Sequence, residues 1–556
     1  MSSHPSTTEE IKTVGDLPVE KIDKTEDYRI YAAISYFVIL IVIGLPLWWK
    51  TTEVYRVPLP YTRIAALNES DFVLVTNVTI ASLDIDRGKQ LASDLDNFFK
   101  TSKLFKVHFV VTQVQKQILA SAQSIQALEL SSVSRRQAGD ILLLEVPGLP
   151  RFTPSQVLVG RRRIVYFATD TSSVKLTEVL QQWLFQEETL QRMISSMVSP
   201  TKSELDLAGR RRMPTASAYD VMVTIVNPDP EKVQLNWDLQ EAIENFLSPF
   251  LRNLAPLADY NVKSQWLYFV PLQVQPKLVP EQPGIRKHFA LSEELLPHII
   301  TPLEKKLASH VSQNPCLNFV VYVPPCSESP LYIYRQEGVI LRGGVNAFLS
   351  PRWGGIIIHN PPQDICDNTT VVEPKPVEAD WSKIMGTFLA QLRLLVGVPE
   401  LDDIPRVSML PLAASGMRQW ELDSLYRVRI MEQLTSAMLT LQSLSQLLGE
   451  ISNIVIDDEV GDSIQEAVSA VERGIELLHQ GNLLAAFEAS KQAFLSAEAA
   501  FTDPSLLALL YFPDDQKYAV YIPLFLPVMI PVLMSLKNIY LWAASKVRHK
   551  GKEKVD

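Results

Sequence analysis

The sequence predicts an α/β fold: mixed sheets with covering helices in two lobes, followed by a helical segment, with two flanking transmembrane helices. Three observations carry this reading. Runs rich in valine, isoleucine and aromatics alternate with helical periodicity from about residue 70 to 400. Strand-like runs then vanish from about 418 to 504. Two uncharged apolar runs stand near the ends, at 30–49 and between Lys517 and Lys537. The expected organisation is a cytosolic tail (1–29), a membrane helix (30–49), a luminal α/β lobe (50–200) and a second such lobe (216–400). A luminal helical segment (418–504), a second membrane helix (518–536) and a basic cytosolic tail (537–556) complete it.

In the first lobe, FVLVTNVTIA (72–81), VHFVVTQV (107–114), DILLLEV (140–146) and RIVYFAT (163–169) read as strands. Residues 86–101 and 175–198 carry apolar side chains at helical spacing. A polar, arginine-rich break around 200–215 reads as a linker. The second lobe repeats the grammar with YDVMVTIVNPDP (219–230), a helix over 237–257, and strands KSQWLYFV (263–270) and LNFVVYVPP (317–325). The sequence leaves open whether the lobes are a duplication. Residues 419–455 form one long amphipathic helix, and 463–504 a helical hairpin turning at Gln480-Gly481-Asn482.

The C-terminal apolar run holds Pro523, Pro527 and Pro531. In a soluble helix each interior proline costs on the order of 3 kcal/mol. Membranes tolerate them when neighbouring helices or water satisfy the freed carbonyls. Spacing by four puts all three on one stripe, suited to contact with another span or a lipid. The first run ends in Trp48-Trp49, as at a membrane interface, and reads as an uncleaved anchor. Six lysines and arginines follow the second run, which places that end in the cytosol. Two spans then put both termini in the cytosol and the bulk of the chain in the lumen. Asn68-Glu-Ser, Asn77-Val-Thr and Asn368-Thr-Thr are candidate glycosylation acceptors in that luminal part. The final KEKVD resembles a dilysine retrieval signal of the endoplasmic reticulum.

Composition excludes several classes. A net charge of −10 argues against nucleic acid, which demands a basic surface. Cys316, Cys326 and Cys366 are too few for a disulfide scaffold; the expected bridge, if one forms, is Cys316–Cys326. No metal-binding or nucleophile motif stands out, so no catalytic residue, metal or cofactor is expected. Asp84/Asp86 and Asp94/Asp96 match a metal-binding DxD only weakly, and His359 reads as structural. Arg161–Arg163 and Arg210–Arg212 read as solvated loops. SPRWGGI (350–356), with Arg352 and Trp353, reads as a partner contact or a tight β-bulge.

These residues also carry a family resemblance. GLPLWWKTTE (44–53), NPDP (227–230), SPRWGGI, FLAQLRLL (388–395), WELD (420–423), LGEISNIVI (448–456) and DPSLLALLYFPDDQKYAVYIPLFLP (503–527) resemble the phosphatidylinositol-glycan class S family. Its members are S subunits of the glycosylphosphatidylinositol (GPI) transamidase. The resemblance implies a non-catalytic subunit of an endoplasmic-reticulum complex that removes a C-terminal signal from a precursor and attaches a preformed GPI anchor. It implies that the nucleophilic cysteine belongs to a different, caspase-like subunit. The implied partners are the K, T, U and anchor-attachment subunits and membrane lipid, with GPI itself among the candidates. Two other readings of the residues stay open: a luminal enzyme using Asp84/Asp86 or His359, or a free-standing lectin or chaperone.

Overall fold

A computed structural model describes residues 19–552 apart from 53–54, 68–70, 115–123, 131–135, 148, 150–152, 199–206, 282–285, 335–344, 367–374, 413–415, 452–453 and 509–513. It divides into two units, residues 60–443 with 464–498, and residues 1–59 with 444–463 and 499–556.

In the larger unit, the first sheet begins with β1 (Leu74–Ser82), β2 (Phe105–Gln113), β3 (Ile141–Glu145), β4 (Val157–Val159) and β5 (Ile164–Phe167). The following strands are β6 (Ala218–Asn227), β7 (Val233–Leu235), β8 (Asp259–Tyr268), β9 (Lys277–Val279), β10 (His288–Ser292) and β11 (Cys316–Tyr322). Last come β12 (Leu331–Tyr334), β13 (Ala347–Ser350), β14 (Gly354–Ile358), β15 (Lys375–Val377) and β16 (Val407–Met409). One sheet has the order β16-β4-β5-β3-β1-β2, the other β13-β14-β11-β6-β8. A β12-β10-β9 sheet and a β15-β7 pair accompany them.

The two larger sheets share one topology. In each, the first strand pairs in parallel with the second on one side and the third on the other, and a hairpin then adds a parallel strand and an antiparallel one outside it. This is the 2-1-3 order of doubly wound α/β folds. Parallel strands covered on both faces read as continuous apolar runs. Accordingly all five residues of β3 are buried, as are nine of the ten in β6. Full burial of each Leu, Ile, Val or Phe contributes roughly 1.5–3 kcal/mol, so these strands anchor the cores. The first sheet takes its last strand, β16, from beyond the second sheet, which ties the two together in sequence.

Helix Gln419–Glu450 follows, then helices Asp458–His479 and Leu483–Phe501. The turn between the last two falls at Gly481, whose φ of 75° suits glycine, as the sequence predicts. The hairpin lies on the long helix: Phe487 meets Tyr426 with ring centroids 5.1 Å apart, and Ser490 Oγ donates to Gln433 Oε1 (2.8 Å). Gly474 allows this approach, because a Cβ there would stand 3.1 Å from Leu434 Cδ2.

The smaller unit contains both apolar helices, with candidate spans Tyr28–Lys50 and Ala519–Ala544, each longer than the sequence reading. The first is helix Val19–Val38, a π-turn Ile39–Gly44 and helix Leu45–Thr52. Pro46 lacks the N–H that would continue the regular ladder, which accounts for the π-turn before it. The second lies within helix Asp514–Lys552. Trp48 meets Tyr521 (5.8 Å) and Phe525 (5.2 Å) edge-on, and Tyr31 meets Trp542 (6.2 Å). The facing stripe, Tyr521, Phe525, Met529, Val532 and Ser535, is shielded, whereas Pro523, Pro527 and Pro531 lie exposed on the other side of the helix.

Candidate functional site

A doubly wound sheet binds ligands where its strand order reverses, at the C-terminal strand ends. In the first sheet that point lies between Ser82 and Glu145. It is occupied by the chain's own side chains. Glu145, 2% exposed, accepts from Ser82 Oγ (2.5 Å) and Leu83 N–H (3.2 Å) and pairs with Arg87 Nη1 (3.1 Å). Gly88 brings the next helix close, since a Cβ there would sit 2.7 Å from Val111. Asp84 caps this helix, accepting from Asp86 N–H (3.0 Å). Its partner in the DxD, Asp86, lies exposed in the first turn. Asp94 and Asp96 sit on helix Ile85–Phe99, where Asp94 accepts from Gln90 and Asp96 pairs with Lys100.

In the second sheet the reversal lies between Asn227 and Tyr322. Asn227 Nδ2 donates to Val233 O (2.8 Å), folding the following loop back over the strand ends. At the end of that loop, Trp237 donates to Val377 O (2.8 Å) and meets His359 (5.3 Å) and Trp381 (5.5 Å) edge-on. Burial holds the His359 imidazole below its usual pKa, against an opposing backbone hydrogen bond at Glu378. The neutral ring is a packing element. Among the described residues no group of three or more His, Cys, Asp or Glu is arranged to hold a metal.

The cysteine expectation requires correction. Cys326 is bonded to Cys366, with Cα atoms 5.0 Å apart, and Cys316 is a free thiol. Cys316 opens β11 and Cys326 lies beyond its end, and an extended strand at ~3.3 Å per residue separates them too far for a bridge. Cys316 Sγ instead donates towards Ser309 O (3.5 Å).

The contact reading of SPRWGGI also changes. Trp353 is 8% exposed and packs in the core with Val320, Leu331 and Ile356, so it is no surface anchor. Its segment is a tight hairpin turn. Arg352 adopts φ 58°, and Gly354 takes φ 151° where a Cβ would fall 1.8 Å from Asn318 O. Gly355 likewise admits Gln391, whose Oε1 would be 1.9 Å from an added Cβ. Arg352 itself is exposed and lines a cavity of about 480 Å³ with Arg210, Arg212, Thr215 and Glu432.

The expectation that the arginine triplets are solvated loops fails at Arg163 and Arg212, which enter buried ion pairs. Both triplets run alongside the N-terminal half of helix Gln419–Glu450, which clamps the two sheets together. Arg163 pairs with Asp423, Trp420 Nε1 donates to Gly160 O (3.0 Å), and Arg427 reaches Leu184 O (3.0 Å) and Gly139 O (3.2 Å). Towards the second sheet, Glu421 accepts from Arg393 (2.6 Å) and Arg418 (2.8 Å), while Glu432 holds Arg212, Arg429 and Thr215. The legible signal was the recurrence of Glu421, Asp423, Arg427, Arg429 and Glu432 within one apolar-periodic helix. Buried charges at that density require partners of opposite sign.

Within the smaller unit, Arg56 closes the C-terminus of the same helix. Its guanidinium donates to Leu448 O and to Ile451 O (3.3 Å), and its backbone bridges Ile456. Helix ends leave carbonyls unpaired, and a cation there also complements the helix dipole. Of the three sequons, Asn77 lies exposed in mid-β1 with its Nδ2 donating to Asp140 Oδ1 (3.2 Å). Asn68 and Asn368 lie outside the described residues.

These features define an α/β protein in which two doubly wound sheets are clamped by one long helix, and which carries two helices long and apolar enough to cross a membrane. Residues 35–546 match the family described as phosphatidylinositol-glycan biosynthesis class S protein, and the chain belongs to that family. It is similar to the GPI-anchor transamidase component PIGS of Rattus norvegicus, 36% identical over 94% of this chain and 97% of the relative. The Homo sapiens protein of the same name is 35% identical, covering 92% and 94%. The GPI transamidase component PIG-S homolog of Schizosaccharomyces pombe is 27% identical, covering 91% and 82%.

Proposed function

We propose that the chain serves the GPI transamidase as a non-catalytic subunit, a rigid luminal body that holds other subunits at a set place on the membrane. It is a component of that complex, which attaches GPI anchors to proteins. The observation that carries the non-catalytic reading is that polar side chains at both strand-order reversals are bonded within the chain, Ser82–Glu145–Arg87 in one sheet and Asn227, which holds its own following loop, in the other. Of the residues that an enzyme reading would use, Asp84 is committed to a helix cap and His359 to packing.

On this reading the complex sits in the endoplasmic-reticulum membrane, both tails are cytosolic, and residues between the spans are luminal. The partners are the K, T, U and anchor-attachment subunits. The exposed face of Pro523, Pro527 and Pro531 meets another span or a lipid, and Arg352 remains available for contact. Glycan acceptance falls on Asn68 and Asn368 ahead of Asn77, whose amide is engaged by Asp140.

The test is expression of the tagged full chain in cells lacking their own copy, with detergent purification and identification of co-eluting subunits. Recovery of the complex with Glu145→Gln still supporting anchor attachment within a few-fold is expected. Loss of a required acid, base or nucleophile typically costs 10³-fold or more. A loss of that order in an assembled complex would overturn the non-catalytic reading. Protease added to sealed microsomes is expected to trim only short tails; digestion of the region between the spans would reverse the assigned orientation.

A further inference from the structure

The second sheet ends at β8, whose outer edge meets no strand among the described residues. The ladder decides which amides face outward. Asp259 N–H donates to Ser217 O (2.9 Å) and Phe269 N–H to Asn227 O (3.1 Å), so odd-numbered residues bond β6. Tyr260, Val262, Ser264, Trp266 and Tyr268 therefore turn their N–H and C=O groups away from the sheet. At 10 residues the strand is about twice the usual length.

Long free edges are templates for pairing, and proteins shield them with proline, bulges or outward lysines. β8 has neither proline nor bulge, and its pairing runs unbroken from Ala218↔Asp259 to Asn227↔Tyr268. Its one lysine, Lys263, is half exposed, with its ammonium paired to Asp220 of the neighbouring β6 (2.5 Å). Trp266 and Tyr268 stack on one face with ring centroids 6.2 Å apart, and no side chain of the strand is fully buried.

The strand runs into a cleft. Phe269 turns to φ 60° and is 66% exposed. With Val226, Pro271, Leu272, Ile299 and Leu303 it lines an apolar cleft of about 240 Å³. Lys306 lines this cleft and, with Lys305 and His298, an adjoining one.

We propose that the β8 edge takes up an extended segment of another subunit as an added strand. An apolar side chain of that segment fills the cleft beside Phe269, and an acidic residue beyond it faces Lys305 and Lys306. In such augmentation main-chain hydrogen bonds supply affinity and end pockets supply selection. The proposal rests on the subunit reading above and adds the surface and the chemistry of the partner.

Hydrogen exchange on the full-length chain, alone and within the purified complex, tests it. The amides of Tyr260, Val262, Ser264, Trp266 and Tyr268 should exchange freely in the chain alone and at least about tenfold more slowly in the complex. Equal exchange in both, with the complex assembled, overturns the edge proposal and leaves the subunit reading standing. Protection in the chain alone means that β8 pairs with a second copy, and this also overturns it. Failure to recover any complex overturns the subunit reading itself. Ser264→Pro removes one outward donor and should cut recovery of the complex at least about tenfold while the chain's unfolding temperature holds. Should that variant unfold, Phe269→Asp makes the same test at the cleft, and unchanged recovery with it refutes the proposal.

Discussion

Arg163 grips Asp423 through two hydrogen bonds, Nε to Oδ2 at 2.6 Å and Nη2 to Oδ1 at 2.8 Å, with the carboxylate 3% exposed. The pair joins the β4–β5 hairpin of the first sheet to the helix that clamps both sheets, across 260 residues of chain. Removing one partner strands a buried charge, which typically costs 3–5 kcal/mol. Asp423→Ala should therefore lower the unfolding temperature by many degrees and reduce the steady-state level of the chain. Arg161→Ala, which loses one hydrogen bond to Pro411 O at the surface, should cost about 1 kcal/mol or less. Similar losses in thermal denaturation of the two variants would refute the clamp.

Asp220 sets a pH limit. Burial works to raise its pKa, but Lys263, Ser312, Asn314 and Asn261 outweigh burial and bring the carboxyl down to about 2. A group depressed in the folded state stabilises it above the unfolded value near 3.9, and that contribution is lost as pH falls towards 2. Lys263 is half exposed, so screening limits the effect to at most about 2 kcal/mol. Urea unfolding between pH 6 and pH 2 should show this loss in the parent chain. Asp220→Asn should be less stable at pH 6 and lose less on acidification; parallel curves would contradict the assignment.

Intact-mass analysis after alkylation should find one disulfide and one free thiol, with Cys326 and Cys366 in a single linked peptide. The closed loop spans 40 residues, which gives about 4 kcal/mol of stabilisation in the chain-entropy account. Cys316→Ser and His359→Ala should both leave anchor attachment within a few-fold in an assembled complex. His359→Ala should cost some stability, because it removes the ring packed on Trp237. A Cys316–Cys326 linked peptide would refute the pairing.

Replacing Pro523, Pro527 and Pro531 together by alanine should make the second span a better helix, since each interior proline opposes the helix by about 3 kcal/mol. Contacts with the first span should persist, because Trp48 meets Tyr521 and Phe525 on the other side of that helix. The variant should insert normally, yet the complex should dissociate in detergent and anchored proteins should leave the cell surface. Full activity with an intact complex would show that the proline face has no partner.

Much was legible in the order of residues. Each proline or glycine acts on its own backbone, and period-2 and period-3.6 patterns are local, so the spans, most strands and the turn at Gly481 could be read directly. Membership of the family was also carried by contiguous stretches such as DPSLLALLYFPDDQKYAVYIPLFLP. What the tertiary structure decided was every relation between distant segments. Arginines 161–163 look solvated until helix 419–450 is laid beside them, and only then does Asp423 face Arg163. Cysteine pairing depends on the distance that β11 imposes between its ends, and Trp353 is a core residue because Gly354 and Gly355 let β14 press against Asn318 and Gln391. Such pairings are set by packing in three dimensions, where the lowest free energy satisfies buried charges and fills volume jointly; no single segment contains that information.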